Sequence, residues 1–265
     1  MTQPDTASLL QFALDLADEA DEISMRYYRG ELGTEQKLDG SLVTLADKQV
    51  EAHLRARIEE RFPEHAILGE EEGLTREGAS ARWVLDPIDG THGFARALPV
   101  WATLIALERD GVFEIGVASA PALGTRWWAA RGFGAYRADL PALGHAGTRI
   151  HVSDVATIEK AQLLYGSYKL TVDSWPGTNA LLRRAWRTRG LGDFWGHCLV
   201  ADGSAEAMLE GTISPWDIAA LIVIVEEAGG RLTDNNGVAT IDAGHCITTN
   251  GALHDAVLQG LQQTE

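Results

Sequence analysis

The chain has 265 residues with the composition of a folded domain, 45% hydrophobic and 23% charged. Its 38 acidic and 22 basic residues give a net charge of −16, which argues against a nucleic-acid or anionic-membrane surface. The two cysteines, Cys198 and Cys246, are too few for a disulfide framework and lack zinc-site spacing. No basic segment opens the chain and no apolar run approaches the roughly 20 residues of a membrane span, so we expect a cytoplasmic protein.

The first half of the chain is predicted to form two helices followed by strands. Apolar residues from Leu9 to Tyr27 recur at three- and four-residue spacing, which predicts an amphipathic helix ending near Gly30. Thr44 and Asp47 have the spacing of a capping box, so a second helix is expected to run to about Phe62. Short apolar segments bounded by Gly, Pro or Asp then predict strands at 66–68, 83–85, 101–107, 113–119 and 126–130.

The second half alternates helices and strands more regularly. A stretch rich in Gly and Pro at 140–148 predicts a boundary between two lobes, 1–144 and 145–265, of one continuous unit. Beyond it we predict helices at 179–187, 198–209, 214–227 and 253–261, and strands at 231–233 and 246–249. This mixture favours layered α and β elements with largely covered sheets. Trp127 and Trp128 should face opposite sides of one strand, one in the core and one at a subunit interface.

Clustered acids follow two of the predicted strands. Three glutamates occupy 70–72, and Asp86 and Asp89 flank Pro87 after the strand at 83–85. Close carboxylates raise one another's pKa unless a cation neutralises them, and Mg²⁺ prefers such oxygen ligands. Pro87 stiffens its loop, so Asp86, Asp89 and the Ile88 carbonyl can converge on one cation. For the glutamates alone, a solvated loop remains an alternative.

Gly90 and Thr91 come directly after these acids, at what the pattern suggests is a helix start. Free backbone N–H groups at such a position form an anion site suited to phosphate. Thr91 could instead be an ordinary helix N-cap. A metal site beside a phosphate cradle is the layout of a phosphohydrolase.

Taken together, these motifs resemble the inositol monophosphatase family. The resemblance rests on four segments and spans Lys37 to about Val257: Gly-Glu-Glu at 69–71, Asp-Pro-Ile-Asp-Gly-Thr at 86–91, Trp-Asp-Ile-Ala-Ala at 216–220 and Glu-Glu-Ala-Gly-Gly at 226–230. It implies an α+β fold of the layered αβαβα sandwich type, a homodimer, and two or three Mg²⁺ ions per active site. The implied reaction is hydrolysis of a phosphomonoester by in-line attack of a metal-activated water.

The resemblance also implies a set of metal ligands. Glu70, Asp86 and the Ile88 carbonyl would hold the first metal ion, and Asp86, Asp89 and Asp217 the second. Asp217 is also implied to lie against the substrate. A local alternative exists for Asp217, because its spacing from Ser214 is that of a helix cap.

Water activation and phosphate binding are implied for a second set of residues. Asp47 and Thr91 would orient and help deprotonate the attacking water, with Glu70 counted among the catalytic residues. The backbone amides of Gly90 and Thr91 would receive the phosphate. The local alternative for Asp47 is a capping interaction with Thr44.

Four further segments, 94–107, 118–132, 192–201 and 248–255, resemble the histidinol-phosphate phosphatase branch of the family. That branch implies hydrolysis of L-histidinol phosphate to L-histidinol and phosphate in histidine biosynthesis. This substrate carries an ammonium group and an imidazole, so its pocket should offer carboxylates. Asp193 and Glu210 are the candidates, although Asp193 could be a turn residue and Glu210 could equally accept hydrogen bonds from inositol hydroxyls.

One departure from the family pattern bears on the substrate. After Asp-Gly-Thr the family usually has a residue followed by Asn, whereas this chain has His92 and Gly93. His92 could contact a ligand or lie exposed. An inositol-1-phosphatase or a broad sugar-phosphate phosphatase therefore remains the alternative, and a non-catalytic metal- or phosphate-binding protein is a remote one. The expected partner is a small phosphorylated metabolite.

Overall fold

The computed structural model describes residues 5–37, 40, 42–141 and 146–263. The α-helices in these residues are α1 (Thr6–Tyr27), α2 (Leu45–Arg61), α3 (Thr91–Ala95), α4 (Tyr168–Ser174), α5 (Thr178–Arg184), α6 (Asp193–Ala201), α7 (Pro215–Glu227) and α8 (His254–Gln262). A 3₁₀ helix spans Ile158–Lys160. No helix in the described part of the chain is long and apolar enough to span a membrane.

The strands form three sheets. They are β1 (Glu35–Gln36), β2 (Leu42–Val43), β3 (Ala66–Gly69), β4 (Gly73–Thr75), β5 (Ala81–Asp89), β6 (Ala102–Arg109), β7 (Val112–Ala120), β8 (Thr125–Ala130), β9 (Gly134–Asp139), β10 (Thr148–Ile150), β11 (Gln162–Tyr165), β12 (Arg187–Gly190), β13 (Ala207–Glu210), β14 (Arg231–Thr233) and β15 (Cys246–Thr249). Strands β1 and β2 pair by themselves. The first large sheet has the order β10-β9-β8-β7-β6-β5-β3-β4, and the second has the order β12-β11-β13-β15-β14.

Helices cover both faces of both large sheets. Helices α1 and α2 pack on one face of the eight-stranded sheet, and α6 and α7 lie between its other face and the five-stranded sheet. Helices α5 and α8 and the 3₁₀ helix cover the outer face of the five-stranded sheet. The layers therefore run αβαβα, which confirms the predicted α+β sandwich.

The first two helices form where their caps and apolar spacing predicted. The Asp5 carboxylate accepts the Ser8 N–H at 2.7 Å and begins α1, which buries an apolar stripe against the sheet. Thr44 and Asp47 form the expected capping box at the start of α2. Besides its apolar residues, α2 buries three charged side chains, Asp47, Glu51 and Arg55, at four-residue spacing.

Strand β5 continues past the point where the sequence predicted a loop. Residues 86–89 stay in the strand, and the pairing register with β6 shifts between Asp86 and Asp89. Such a bulge accommodates Pro87, which has no N–H to donate to the sheet. The Thr103 hydroxyl donates to the Pro87 carbonyl at 2.8 Å, which anchors the bulge on β6.

Two predicted helices in the second half are wrong in extent. The helix expected at 198–209 is α6, which ends at Ala201, and the chain then enters strand β13 after a turn at Gly203 (φ 79°). The helix expected at 179–187 ends at Arg184, and Arg187 begins β12. Both errors concern short apolar or mixed runs, whose periodicity does not separate a buried strand from the end of a helix.

The two adjacent tryptophans occupy opposite faces of β8, as alternation predicts, but both rings lie inside the chain. Trp127 packs between the sheets beside Phe194, and Trp128 stacks with Tyr136 on the α1 side. Their exposures of 2% and 4% leave neither ring at the surface, so the expected interface position is wrong. The predicted lobe boundary after residue 144 lies outside the described residues and stays a prediction.

Candidate active site

Three aspartates from two distant parts of the chain meet where β5 ends against the N-terminus of α7. Carboxylate oxygens of Asp86, Asp89 and Asp217 lie within 4.8 Å of one another. Within the described residues, Asp86 Oδ1 is buried and has no hydrogen-bond partner. Burial and the neighbouring carboxylates raise the pKa of Asp86 and Asp89 well above the usual range, and burial raises that of Asp217 to about 7. Among the described residues, the charged groups that act most strongly on Asp86 and Asp89 are other carboxylates, and such a donor set suits a hard divalent cation.

The cap-like spacing of Asp217 and its predicted metal role are compatible. The Ser214 N–H donates to Asp217 Oδ2 at 2.7 Å and completes a capping box at the start of α7. Asp89 is held in a similar way, because its Oδ2 accepts the Phe194 N–H at 2.6 Å. In both Asp89 and Asp217, one carboxylate oxygen is thus fixed by a backbone N–H at the N-terminus of a helix.

Asp47 likewise combines a cap with a position in the site. Its Oδ2 accepts the Thr44 N–H at 2.7 Å and the Thr44 hydroxyl at 2.6 Å. Its Oδ1 lies 3.4 Å from the Thr91 hydroxyl, which also donates to the Ile88 carbonyl at 2.9 Å. Burial raises the pKa of Asp47 to about 6. The structure brings the predicted pair together, with the closer contact of Thr91 going to Ile88.

Gly90 occupies a position that disfavours a larger residue. It caps the five-residue helix α3 with φ 85°, in the left-handed region. A Cβ there would lie 3.0 Å from the Val100 carbonyl oxygen and 3.4 Å from Asp193 Oδ2. The turn at 90–91 therefore passes directly beside the Asp193 carboxylate.

A second acidic cluster contains a lysine that the sequence interpretation did not single out. Oxygens of Asp47, Glu70 and Glu71 lie within 4.8 Å of one another. Lys37 Nζ lies 2.8 Å from Glu70 Oε1 and 2.6 Å from Glu71 Oε1. Burial raises the pKa of Glu71 to about 7. Of the three glutamates, Glu72, whose side chain is 58% exposed, fits the solvated-loop alternative. Glu70 and Glu71 do not, because both are paired with Lys37.

Asp193 and Glu210 line a cavity of about 50 Å³ beside the three aspartates. Its lining residues are Asp89, Asp193, His197, Glu210, Thr212, Ile213, Asp217 and Ile218. Burial raises the pKa of Asp193, and the charge of nearby His92 offsets part of this rise. Burial also raises the pKa of Glu210 to about 8. Glu210 Oε2 is buried without a hydrogen-bond partner among the described residues. The cavity thus presents acceptors toward the three-aspartate cluster, and His92 itself is exposed.

His197 is a further lining residue for which the sequence offered no role. Burial lowers its pKa to about 3, so its imidazole is neutral. Its Nδ1 lies 2.7 Å from the Thr248 hydroxyl, which orients the ring. In the sequence, it lies in segment 192–201, which resembles the histidinol-phosphate phosphatase branch.

Comparison with known proteins agrees with this geometry. The model of the inositol monophosphatase family matches residues 5–265. The histidinol-phosphatase of Mycobacterium tuberculosis is 44% identical over 95% of this chain and 97% of its own length, and that of Streptomyces coelicolor is 40% identical over 98% and 99%. Among solved structures, a Thermotoga maritima IMPase superposes with a TM-score of 0.84 at 30% identity, covering 96% of both chains.

Proposed function

The chain belongs to the inositol monophosphatase family, and on this premise we propose that it is a Mg²⁺-dependent phosphatase that hydrolyses L-histidinol phosphate to L-histidinol and phosphate. The observation that supports this substrate is the pair of carboxylates, Asp193 and Glu210, that line the cavity beside the aspartate cluster. The likeness to histidinol-phosphatases over almost the full chain supports it. A cytoplasmic homodimer is part of the same proposal. The homodimer rests on the family resemblance, and the cytoplasmic location fits the two free cysteines, Cys198 and Cys246.

Two sets of oxygens are proposed to hold Mg²⁺. Asp86, Asp89 and Asp217 would hold one ion, and Glu70, Asp86 and the Ile88 carbonyl would hold another, with a third ion as an upper limit. The unpartnered Asp86 Oδ1 and the raised pKa values of the aspartates support this fit, because a cation would stabilise their ionised forms. When bound, Mg²⁺ would supply Lewis-acid activation of water and offset charge on the phosphoryl oxygens.

The chain's own residues position the nucleophile and the phosphate. Asp47, with a pKa of about 6, is mostly ionised at neutral pH and can accept a proton at Oδ1, the oxygen turned away from its cap. The Thr91 hydroxyl lies between Asp47 and the Ile88 carbonyl, so turning its O–H from Ile88 to Asp47 would relay a proton from the attacking water. The backbone N–H groups of Gly90 and Thr91 would receive the phosphate.

Asp193 and Glu210 would recognise the organic part of the substrate. Their carboxylates can accept hydrogen bonds from the ammonium and imidazolium groups, and these cations would favour the ionised forms that burial now disfavours. Neutral inositol hydroxyls offer no such compensation. The pocket should therefore prefer the cationic substrate.

The test is phosphate release from histidinol phosphate and from inositol 1-phosphate, each with Mg²⁺ and with EDTA. We expect Mg²⁺-dependent hydrolysis and a preference of about a hundredfold in kcat/KM for histidinol phosphate, which corresponds to about 2.7 kcal/mol. Equal rates or the opposite preference would refute the substrate, and no hydrolysis of either would refute the activity.

A variant of Asp193 tests the origin of the preference. Asp193 has φ 55°, and asparagine tolerates this left-handed conformation, so Asp193→Asn should keep the backbone while removing the charge. We expect kcat/KM for histidinol phosphate to fall at least tenfold, while that for inositol 1-phosphate changes less than threefold. An equal loss on both substrates would show that Asp193 does not select the substrate.

A further inference from the structure

Helix α2 buries a charged stripe next to its apolar one. Asp47, Glu51 and Arg55 follow one another at four-residue spacing, so they share a helix face, and their exposures are 0%, 0% and 5%. Buried charges are costly unless they are paired and hydrogen-bonded. Asp47 belongs to the active site, whereas the proposed chemistry assigns no role to Glu51 or Arg55.

The Glu51 carboxylate is fully engaged by the turn that carries the three glutamates. Its Oε2 accepts the Glu71 N–H at 2.8 Å, and its Oε1 accepts the Glu72 N–H at 2.9 Å and Arg55 Nε at 2.8 Å. Both oxygens are therefore occupied by donors. The Glu51 carboxylate therefore binds the backbone N–H groups of the turn and is not itself a metal ligand.

The same contact accounts for Gly69, the residue before the glutamates. A Cβ at Gly69 would lie 2.2 Å from Glu51 Oε1 and 2.8 Å from Arg55 Nη2, closer than atoms can approach. Arg55 Nη2 also donates to the Gly73 carbonyl on the far side of the turn, at 2.5 Å. Glu51 and Arg55 thus hold the backbone of the turn from residue 71 to residue 73.

Glu70 lies between these hydrogen bonds to α2 and the sheet. Its N–H donates to the Leu85 carbonyl of β5 at 3.3 Å, and the next two N–H groups donate to Glu51. Its backbone is therefore held on one side by the strand that carries Asp86 and on the other by the helix that carries Asp47. A shift of the turn away from α2 would move Glu70 relative to both aspartates.

We propose that Glu51 is a positioning residue that holds the 70–72 turn against α2 and thereby places the Glu70 carboxylate for metal binding. The inference rests on the proposed metal-dependent function and adds to it a residue that touches neither metal nor substrate. Arg55 compensates the charge of Glu51 and also binds the turn at the Gly73 carbonyl.

The test compares metal binding by three proteins without substrate. In Glu51→Gln, one carboxylate oxygen becomes an NH₂ group that opposes a backbone N–H. Glu60→Gln is the matched control, because Glu60 lies on the same helix with a 78% exposed side chain. Titration calorimetry of the metal-free proteins with Mg²⁺ and Mn²⁺ should show at least tenfold weaker binding for Glu51→Gln and a change below twofold for Glu60→Gln.

A double-variant cycle tests whether Glu51 acts through Glu70. Adding Glu51→Gln to a Glu70→Gln protein should weaken metal binding less than twofold, because the ligand that Glu51 places is already lost. An equal tenfold loss in both backgrounds would overturn the proposal. In kinetics, the half-saturating Mg²⁺ concentration should rise at least tenfold for Glu51→Gln, with the substrate KM at saturating Mg²⁺ changed less than threefold.

Thermal unfolding in EDTA separates positioning from simple stability. A lower melting temperature with unchanged metal affinity in the folded protein would show a structural role only and refute the proposal. If Glu51→Gln does not fold, the same measurements are made on Glu51→Asp and judged by the same outcomes. This variant keeps the charge that faces Arg55 but has a shorter side chain, so its carboxylate no longer reaches the turn. Failure of the wild-type protein to bind metal would instead refute the proposed function.

Discussion

Replacing Asp86 with asparagine is expected to stabilise the metal-free protein while removing its activity. Asp86 is 2% exposed, and its carboxylate lies within 4.8 Å of Asp89 and Asp217. At that separation and an effective dielectric constant of about 20, two ionised carboxylates repel by about 3 kcal/mol. Protons bound to these carboxyls already relieve part of the repulsion, so we expect Asp86→Asn to gain about 1 to 3 kcal/mol without metal.

The gain should depend on pH, because burial raises the pKa of Asp217 to about 7 and that of Glu210 to about 8. Unfolded carboxyls titrate near pH 4, so between about pH 4 and pH 8 the folded state binds more protons than the unfolded state. The stability of the metal-free wild-type protein should therefore fall as the pH rises through this window. Asp86→Asn should reduce that fall by removing one of the repelling charges.

The assay is thermal unfolding at pH 6 and pH 8.5, with EDTA and with Mg²⁺. In EDTA at pH 8.5, Asp86→Asn should melt about 3 to 10 °C above the wild-type protein. With Mg²⁺ the order should reverse, since only the wild-type site keeps its shared ligand, and activity should fall by orders of magnitude. The exposed Asp255→Asn is the control. A variant less stable than wild type in EDTA would refute the assignment of this cluster as an uncompensated cation site.

Three further outcomes are expected. Arg126→Met should lower the free energy of unfolding in urea by about 3 to 5 kcal/mol, because Arg126 is fully buried 2.7 Å from the Asp21 carboxylate. Adding Asp21→Asn should restore more than half of the lost free energy, and no recovery would contradict the pairing. Gly116→Ala should cost about 1 to 3 kcal/mol, because its Cβ would lie 2.1 Å from the Ala220 carbonyl oxygen of α7, and a loss below about 0.5 kcal/mol would show that this contact relaxes freely. Thr91→Val should lower kcat about a hundredfold with little change in melting temperature, and unchanged turnover would remove Thr91 from the mechanism.

Local signals in the sequence were sufficient for the elements with strong caps and long periodicity. The Asp5 and Thr44 caps and their apolar spacing place α1 and α2, and Ser214 with Pro215 places the start of α7. These signals act over three or four residues, so they do not depend on the rest of the fold. The motif around Asp86 also predicted a cation site, because carboxylates at the end of an apolar run need a cation or water.

The sequence by itself determined the residue types of the site, the strong helices and the family likeness. Tertiary structure decided that 207–210 is a strand, because Ala207–Glu210 pairs with β11 on one side and β15 on the other. It also brought Asp217 within 4.8 Å of Asp86, and set the buried Glu51 against the turn that carries Glu70. These pairings join residues up to about 130 positions apart, and only the packing of α2 and α7 on the sheets determines which distant side chains meet.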